Sequence, residues 1–134
     1  MQSDKLQIIE CPRDAMQGLE YFIPTETKVG YINTLLGCGF DVLDMGSFVS
    51  PKAIPQMRDT AEVLDKIQIG NSSTELLSII ANKRGAEAAV SYEQISYLGY
   101  PFSISETFQQ RNTNKSIEDS FRLLEDIFSL ALVN

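Results

Sequence analysis

Four short apolar runs alternate along the chain with four stretches whose apolar residues recur at helical spacing. Residues 5–11, 40–45, 76–81 and 95–102 carry dense Ile, Leu, Val, Met and Phe over strand lengths, and each is read as a buried strand. After the first, Pro24-Thr25-Glu26 opens a helix. Thr25 is its expected N-cap, Val29, Ile32, Leu35 and Leu36 form its buried stripe, and Gly37 and Gly39 end it. Ala61, Leu64 and Ile67 mark a second helix, residues 83–90 a short alanine-rich third with Gly85 as its weak point, and residues from Ile117 onward a fourth. Ser116 and Asp119 are spaced to cap that last helix, whose expected buried face is Ile117, Phe121, Leu124, Phe128 and Ala131.

The connectors are equally patterned. Two prolines within five residues, Pro51 and Pro55, make 46–57 a shaped loop with at most one helical turn, and residues 105–112 read as a polar loop. Gly99 and Pro101 predict a bulge or twisted end in the fourth strand. Alternation of this kind is (βα) four times over, an α/β chain with a parallel sheet covered by helices. A doubly wound sheet and a barrel both fit. The former wants a glycine-rich phosphate loop after its first strand, which Gly18 alone does not supply, so the expected fold is a (βα)4 half of a TIM-type (βα)8 barrel.

Composition narrows the partners. A chain of 134 residues with 43% apolar content has the size of one domain and one core, and residues 1–134 show no internal linker or low-complexity tract. The net charge of −7 argues against nucleic acid or an anionic membrane as a partner, since both reward basic surface. No charged-then-apolar leader is seen and no apolar run approaches the roughly 20 residues that span a bilayer, so the expected location is cytoplasmic. Cys11 and Cys38 are too few for a disulfide framework and are expected to be buried free thiols. Histidine is absent, which removes the commonest general base and transition-metal ligand.

What chemistry remains is concentrated at Cys11-Pro12-Arg13-Asp14-Ala15-Met16-Gln17-Gly18, where the first strand ends. Arg13 is a permanent cation able to hold a carboxylate or carbonyl oxygen, and Asp14 is a hard oxygen ligand suited to Mg²⁺ or Mn²⁺. Spacing alone does not distinguish this from a solvated ion pair in a loop. Asp44 and Asn82 stand at the ends of the second and third strands, and the Ser- and Phe-rich loop beginning at Ser47 either lines a ligand site or is a packed connector.

Ser47-Phe48-Val49-Ser50-Pro51-Lys52 followed by Pro55-Gln56-Met57 is the most specific motif of the chain. With it stand Pro12-Arg13-Asp14 and Gln17, Pro24-Thr25 and Lys28, and Ala61-Glu62-Val63-Leu64. Further along come Gly85 with Glu87-Ala88-Ala89-Val90, and Ser105-Glu106-Thr107-Phe108 with Asn112. From about Lys5 to about Phe128 the chain resembles the 3-hydroxy-3-methylglutaryl-CoA lyase family of metal-dependent aldolase barrels. The resemblance implies carbon–carbon cleavage of an acyl-CoA, 3-hydroxy-3-methylglutaryl-CoA going to acetoacetate and acetyl-CoA with a divalent cation, Mg²⁺ or Mn²⁺, in the complete enzyme. It implies that Arg13 stabilises developing oxyanion charge, that Asp14 is a metal ligand and takes part in catalysis, and that Gln17, Ser47, Asp44 and Asn82 lie near substrate.

Departures from the family are as informative. Ala15 replaces its usual glycine, and Asp44 stands where it carries a Glu, one methylene shorter. The fourth strand and its loop are expected to be one residue longer. A complete barrel needs about 250 residues. The resemblance assigns two histidines, an asparagine and a catalytic cysteine to later strands and loops, so residues 1–134 are expected to be a single N-terminal half-barrel without its C-terminal half, inactive alone. The alternative is an interaction module that closes a pseudo-barrel as a homo-oligomer or by pairing with a separate C-terminal half-barrel.

Overall fold

The computed structural model describes residues 6–132. Its elements follow in the order β1 (Ile9–Glu10), α1 (Pro12–Gln17), α2 (Thr25–Leu36), β2 (Val42–Ser47), a 3-10 turn (Pro55–Met57) and α3 (Thr60–Lys66). They continue with β3 (Glu75–Ile79), α4 (Lys83–Val90), β4 (Ile95–Gly99), α5 (Glu106–Thr113) and α6 (Ile117–Ala131). The four strands form one parallel sheet in the order β1-β2-β3-β4, so every neighbour in space is the next strand in sequence. The alternation predicted this parallel sheet with helices, and the simple winding, each strand beside the next, is that of consecutive units of a βα barrel rather than of a doubly wound sheet.

β2 is buried at all six positions, and Leu43 and Met45 join Val29, Ile32, Leu36, Val63, Leu64 and Leu76 in the main core under α2 and α3. The apolar stripe of α2 is the expected one. A second, smaller core joins Ile80, Ala86, Ala89 and Ile127 where α4 meets α6. Two glycines are there because backbone or side chain comes close. A Cβ on Gly46 would lie 2.6 Å from the Thr60 side chain, and one on Gly85 would lie 2.6 Å from the Phe48 carbonyl oxygen. Gly85, expected to be a weak point of its helix, is thus what lets the loop after β2 lie on α4.

Several expectations need correction. Of the expected strand 5–11, Lys5 lies outside the described residues and β1 is Ile9–Glu10; the Ile8 amide before it donates to the Asp41 carboxylate (2.9 Å). Thr25 is the first residue of α2 and not its cap; its hydroxyl donates to Asp59 at 2.8 Å. The irregularity of β4 lies at Ser96, skipped in the pairing with β3, and not at Gly99 or Pro101. Residues 105–112 are largely helical. Ser105 accepts from the Phe108 amide as N-cap, Asn114 closes α5 in the left-handed conformation (φ 54°), and the helix anchors itself through Gln109, 1% exposed. Gln109 donates to the Ser120 hydroxyl (2.7 Å) and accepts from the Ser103 amide (2.8 Å), a buried polar grip that an apolar-period reading passes over. Both cysteines are exposed.

The buried face of α6 is also rotated. Ser120 and Ile127 are buried and Leu123 and Leu130 pack on the second core, whereas Phe121 and Phe128 are 55% and 66% exposed. Among the described residues no helix is long and apolar enough to cross a membrane.

Candidate functional site

Pro12 at the first position of α1 fixes the chain as it leaves β1 and starts a helix of six residues, so Arg13 and Asp14 stand on a helix rather than in a loop. Met16 is buried beneath it, and α1 packs against β2 and the 3-10 turn. The helix is therefore seated on the C-terminal end of the sheet, where barrels of this kind place their functional side chains.

Arg13 reaches from α1 to the middle of β2. Its Nε donates to Asp44 Oδ1 at 3.2 Å and its Nη2 to Asp44 Oδ2 at 2.5 Å, a bidentate pairing, while Nη1 donates to Asp14 Oδ1 (3.1 Å) and to Gln17 Oε1 (2.9 Å). Gln17 in turn donates to Asp14 Oδ1 at 3.3 Å. A guanidinium has five N–H groups, and these bonds use four. Among the described residues one Nη2 hydrogen remains for a further acceptor.

Exposure within the cluster is graded. The side chains of Asp44, Arg13 and Asp14 are 6%, 14% and 66% exposed, so charge is anchored below and offered above. Burial alone works against the Arg13 cation, but the hydrogen bonds and charge of Asp44, helped by Asp14, outweigh it and hold the guanidinium above its ordinary value. At the N-cap of α1 the Cys11 thiol, though exposed, is pushed up, first by partial desolvation and then by the charge of Asp44, against the opposing pull of Arg13. It stays a thiol at neutral pH, the opposite of an activated nucleophile.

The residues expected near substrate thus fall into two groups. Arg13, Asp14, Gln17 and Asp44 form the cluster just described. Ser47 and Asn82 instead line a separate cleft of about 300 Å³ between the loop after β2 and the start of α4, together with Phe48, Arg58, Arg84 and Gly85. Both polar side chains are engaged there: the Ser47 hydroxyl accepts from the Val49 amide (3.1 Å), and Asn82 Oδ1 accepts from the Gly85 amide (2.8 Å) as the N-cap of α4.

A third polar group lies beneath the mouth, and no role was read for it from the sequence. Lys28, 2% exposed, donates to the Gln56 carbonyl and to Asp59 Oδ1 (2.6 Å) and stands 4.1 Å from the Phe22 ring centroid. The Gln56 side chain accepts from the Ile23 amide and donates to the Tyr21 carbonyl. Together they tie the segment after α1, the start of α2 and the 3-10 turn into one bonded unit. Lys28 and Gln56 both belong to matched motifs, but nothing local marks a lysine in a helix as a buried one.

A divalent cation is not accommodated by these residues on their own. No three His, Cys, Asp or Glu groups converge among the described residues, Asp44 is committed to Arg13, and Asp14 alone presents an open carboxylate. Mg²⁺ keeps its waters unless several oxygens surround it.

Fold and cluster together define a class: the first half of a parallel βα barrel with a bonded Arg–carboxylate centre at the carboxyl end of its strands. No family model matches the sequence. Individual proteins do. The mitochondrial hydroxymethylglutaryl-CoA lyase of Macaca fascicularis is 38% identical over 130 residues, which are 95% of this chain and 39% of that protein. The cytoplasmic 3-hydroxy-3-methylglutaryl-CoA lyase of Rattus norvegicus is 34% identical over 129 residues, 94% of this chain and 36% of its own length. In structure, the HMG-CoA lyase of Acinetobacter baumannii, solved with coenzyme A and 3-methylmalate, superimposes with a TM-score of 0.87 at 34% identity, covering 97% of this chain and 42% of that one. By sequence and fold the chain matches the N-terminal part of hydroxymethylglutaryl-CoA lyases, which are carbon–carbon lyases. It spans about two fifths of the length of these relatives.

Proposed function

We propose that this chain supplies the N-terminal arm of a hydroxymethylglutaryl-CoA lyase site and is inactive without the C-terminal half of the barrel. The observation that carries this is the Arg13 guanidinium, clamped from below by Asp44 with one N–H left over among the described residues, beside the exposed carboxylate of Asp14. Cleavage of a 3-hydroxy-3-methylglutaryl thioester takes a proton from a tertiary hydroxyl, breaks the adjacent C–C bond and places negative charge on the thioester enolate oxygen. A fixed cation with a free donor is suited to that oxygen, and its clamp means that little reorganisation accompanies the charge. Asp14 is the carboxylate of this half that would contribute to a divalent cation site completed by later strands. The Ser47–Asn82 cleft, with Arg58 and Arg84 on its wall, gives an otherwise acidic chain the local positive charge that an anionic acyl-CoA requires.

The test is cleavage of 3-hydroxy-3-methylglutaryl-CoA in the presence of Mg²⁺. This chain alone is expected to show background turnover. Co-expressed with the part of the Acinetobacter baumannii lyase that lies beyond the match, it is expected to turn over substrate, and Arg13→Gln to lower the rate by about 10²–10³-fold. Robust cleavage by the chain alone, or a complemented rate indifferent to Arg13→Gln, would overturn the reading.

A further inference from the structure

The cleft between the loop after β2 and the start of α4 stands apart by charge. It has a volume of about 300 Å³, and Arg58 and Arg84 line it while no aspartate or glutamate does. In a chain of net charge −7, that is a local reversal of sign. Among the described residues neither arginine forms an ion pair. The carboxylate beside Arg58 in sequence, that of Asp59, is taken by the Lys28 ammonium (2.6 Å) and the Thr25 hydroxyl (2.8 Å).

Arg58 is nonetheless held. Its guanidinium lies over the Phe22 ring, 3.7 Å from the centroid, and the same ring takes the Lys28 ammonium at 4.1 Å. The backbone on either side of Phe22 is fixed by the Gln56 side chain, which donates to the Tyr21 carbonyl and accepts from the Ile23 amide. A guanidinium stacked on a ring uses its face and leaves the N–H groups along its edge for a fork of hydrogen bonds. From the α4 side come Arg84 and the amino end of the helix, capped by Asn82, whose dipole favours negative charge. The hydroxyls of Ser47 and Ser50 accept from the Val49 and Lys52 amides, so each keeps its own proton to donate.

We infer that Arg58 and Arg84 form a phosphoryl-binding site in this cleft, separate from the Arg13 cluster, with Phe22 as the platform that pre-orients Arg58. A phosphoryl group suits donors that arrive from two walls, because it offers three oxygens and takes paired hydrogen bonds from a guanidinium edge. The site itself stands on the cleft; that its occupant is the phosphate-bearing end of an acyl-CoA rather than free pyrophosphate rests on the lyase reading above.

The test is isothermal titration calorimetry of the chain with coenzyme A and, separately, with inorganic pyrophosphate. Both are expected to bind saturably. Arg58→Ala and Arg84→Ala, at exposed positions, are each expected to weaken binding by about tenfold with the circular dichroism unchanged. Phe22→Leu, which keeps apolar bulk and removes the ring face, is expected to weaken it about two- to fivefold. If Phe22→Leu loses helix content, Arg58→Lys carries the same point, since it keeps the charge and removes the stacked fork. Arg122→Ala removes an equal charge from α6, where Arg122 pairs with Glu118, and is expected to change nothing. Absence of saturable binding of either probe, or binding indifferent to both Arg58→Ala and Arg84→Ala, would overturn the inference; coenzyme A bound in that indifferent way would leave the lyase reading standing. Pyrophosphate held through the two arginines, with coenzyme A not bound, would uphold the phosphoryl site and remove acyl-CoA as its occupant.

Discussion

The mouth of the half-barrel and its β4–α6 edge are built on opposite plans. At the mouth, polar groups are satisfied internally: Arg13 is held by Asp44, Asp14 and Gln17, and Lys28 by Asp59 and Gln56. At the edge, Phe121 and Phe128 of α6 stay more than half exposed, and among the described residues β4 pairs with β3 alone. The contrast teaches that the polar cluster at the mouth is organised within the described elements, while the apolar stripe of α6 is left uncovered by them. Charges in a low-dielectric site need fixed partners at every moment, whereas an apolar face only needs covering in the finished assembly.

The sharpest way to break that comparison is Lys28→Met. It leaves Asp59 nearly buried without a counter-charge and the Gln56 carbonyl without its donor. The expected cost is about 3–5 kcal/mol in urea unfolding. A loss below about 1 kcal/mol would show that the mouth does not depend on this pair.

Asp44→Asn is expected to have a smaller effect with a chemical signature. It removes the charge from the Arg13 clamp, costing about 1.5–3 kcal/mol. It also removes one of the influences that raise the Cys11 thiol. Because the folded-state thiol lies above its ordinary value and Asp44 is second only to burial in raising it, the thiolate should form at lower pH in the variant. Iodoacetamide alkylation followed against pH, in a Cys38→Ser background, reads this directly. An unchanged or upward midpoint would separate Cys11 from the cluster.

The smallest expected effect is that of Asn82→Ala, which deletes the cap of α4 at about 1 kcal/mol, seen as a modest drop in melting temperature. If the complemented lyase loses activity far beyond what that destabilisation explains, Asn82 also touches substrate.

The periodicity of the chain was enough to give the βα order, the parallel sheet and the stripe of α2, because burial of a helix face and of a strand core leaves its mark residue by residue. The Arg13–Asp14 pair was legible as a candidate from its place after the first strand. Its partner in space was not: Asp44 lies thirty-one residues away and was marked only as a strand-end carboxylate. Lys28 shows the same limit more strongly, since a lysine among helical positions looks like any solvated cation until Asp59 and Gln56 are brought to it. Gln109 and α5 were missed because a polar side chain can serve as the buried anchor of a helix when its hydrogen bonds are met.

α6 marks the division between the two sources of information most clearly. By itself the sequence determined that Phe121, Leu124, Phe128 and Ala131 form an apolar stripe on one side of a helix capped at Ser116, because spacing and capping are local properties. Only the tertiary structure decided which side of that helix meets the rest of the chain. Packing on the second core selects Leu123, Ile127 and Leu130, and the Gln109 amide of α5 holds Ser120, leaving the stripe facing a groove that the described residues do not fill. Hydrophobicity states that a surface must be covered; the packing of the other elements determines whether this chain does the covering.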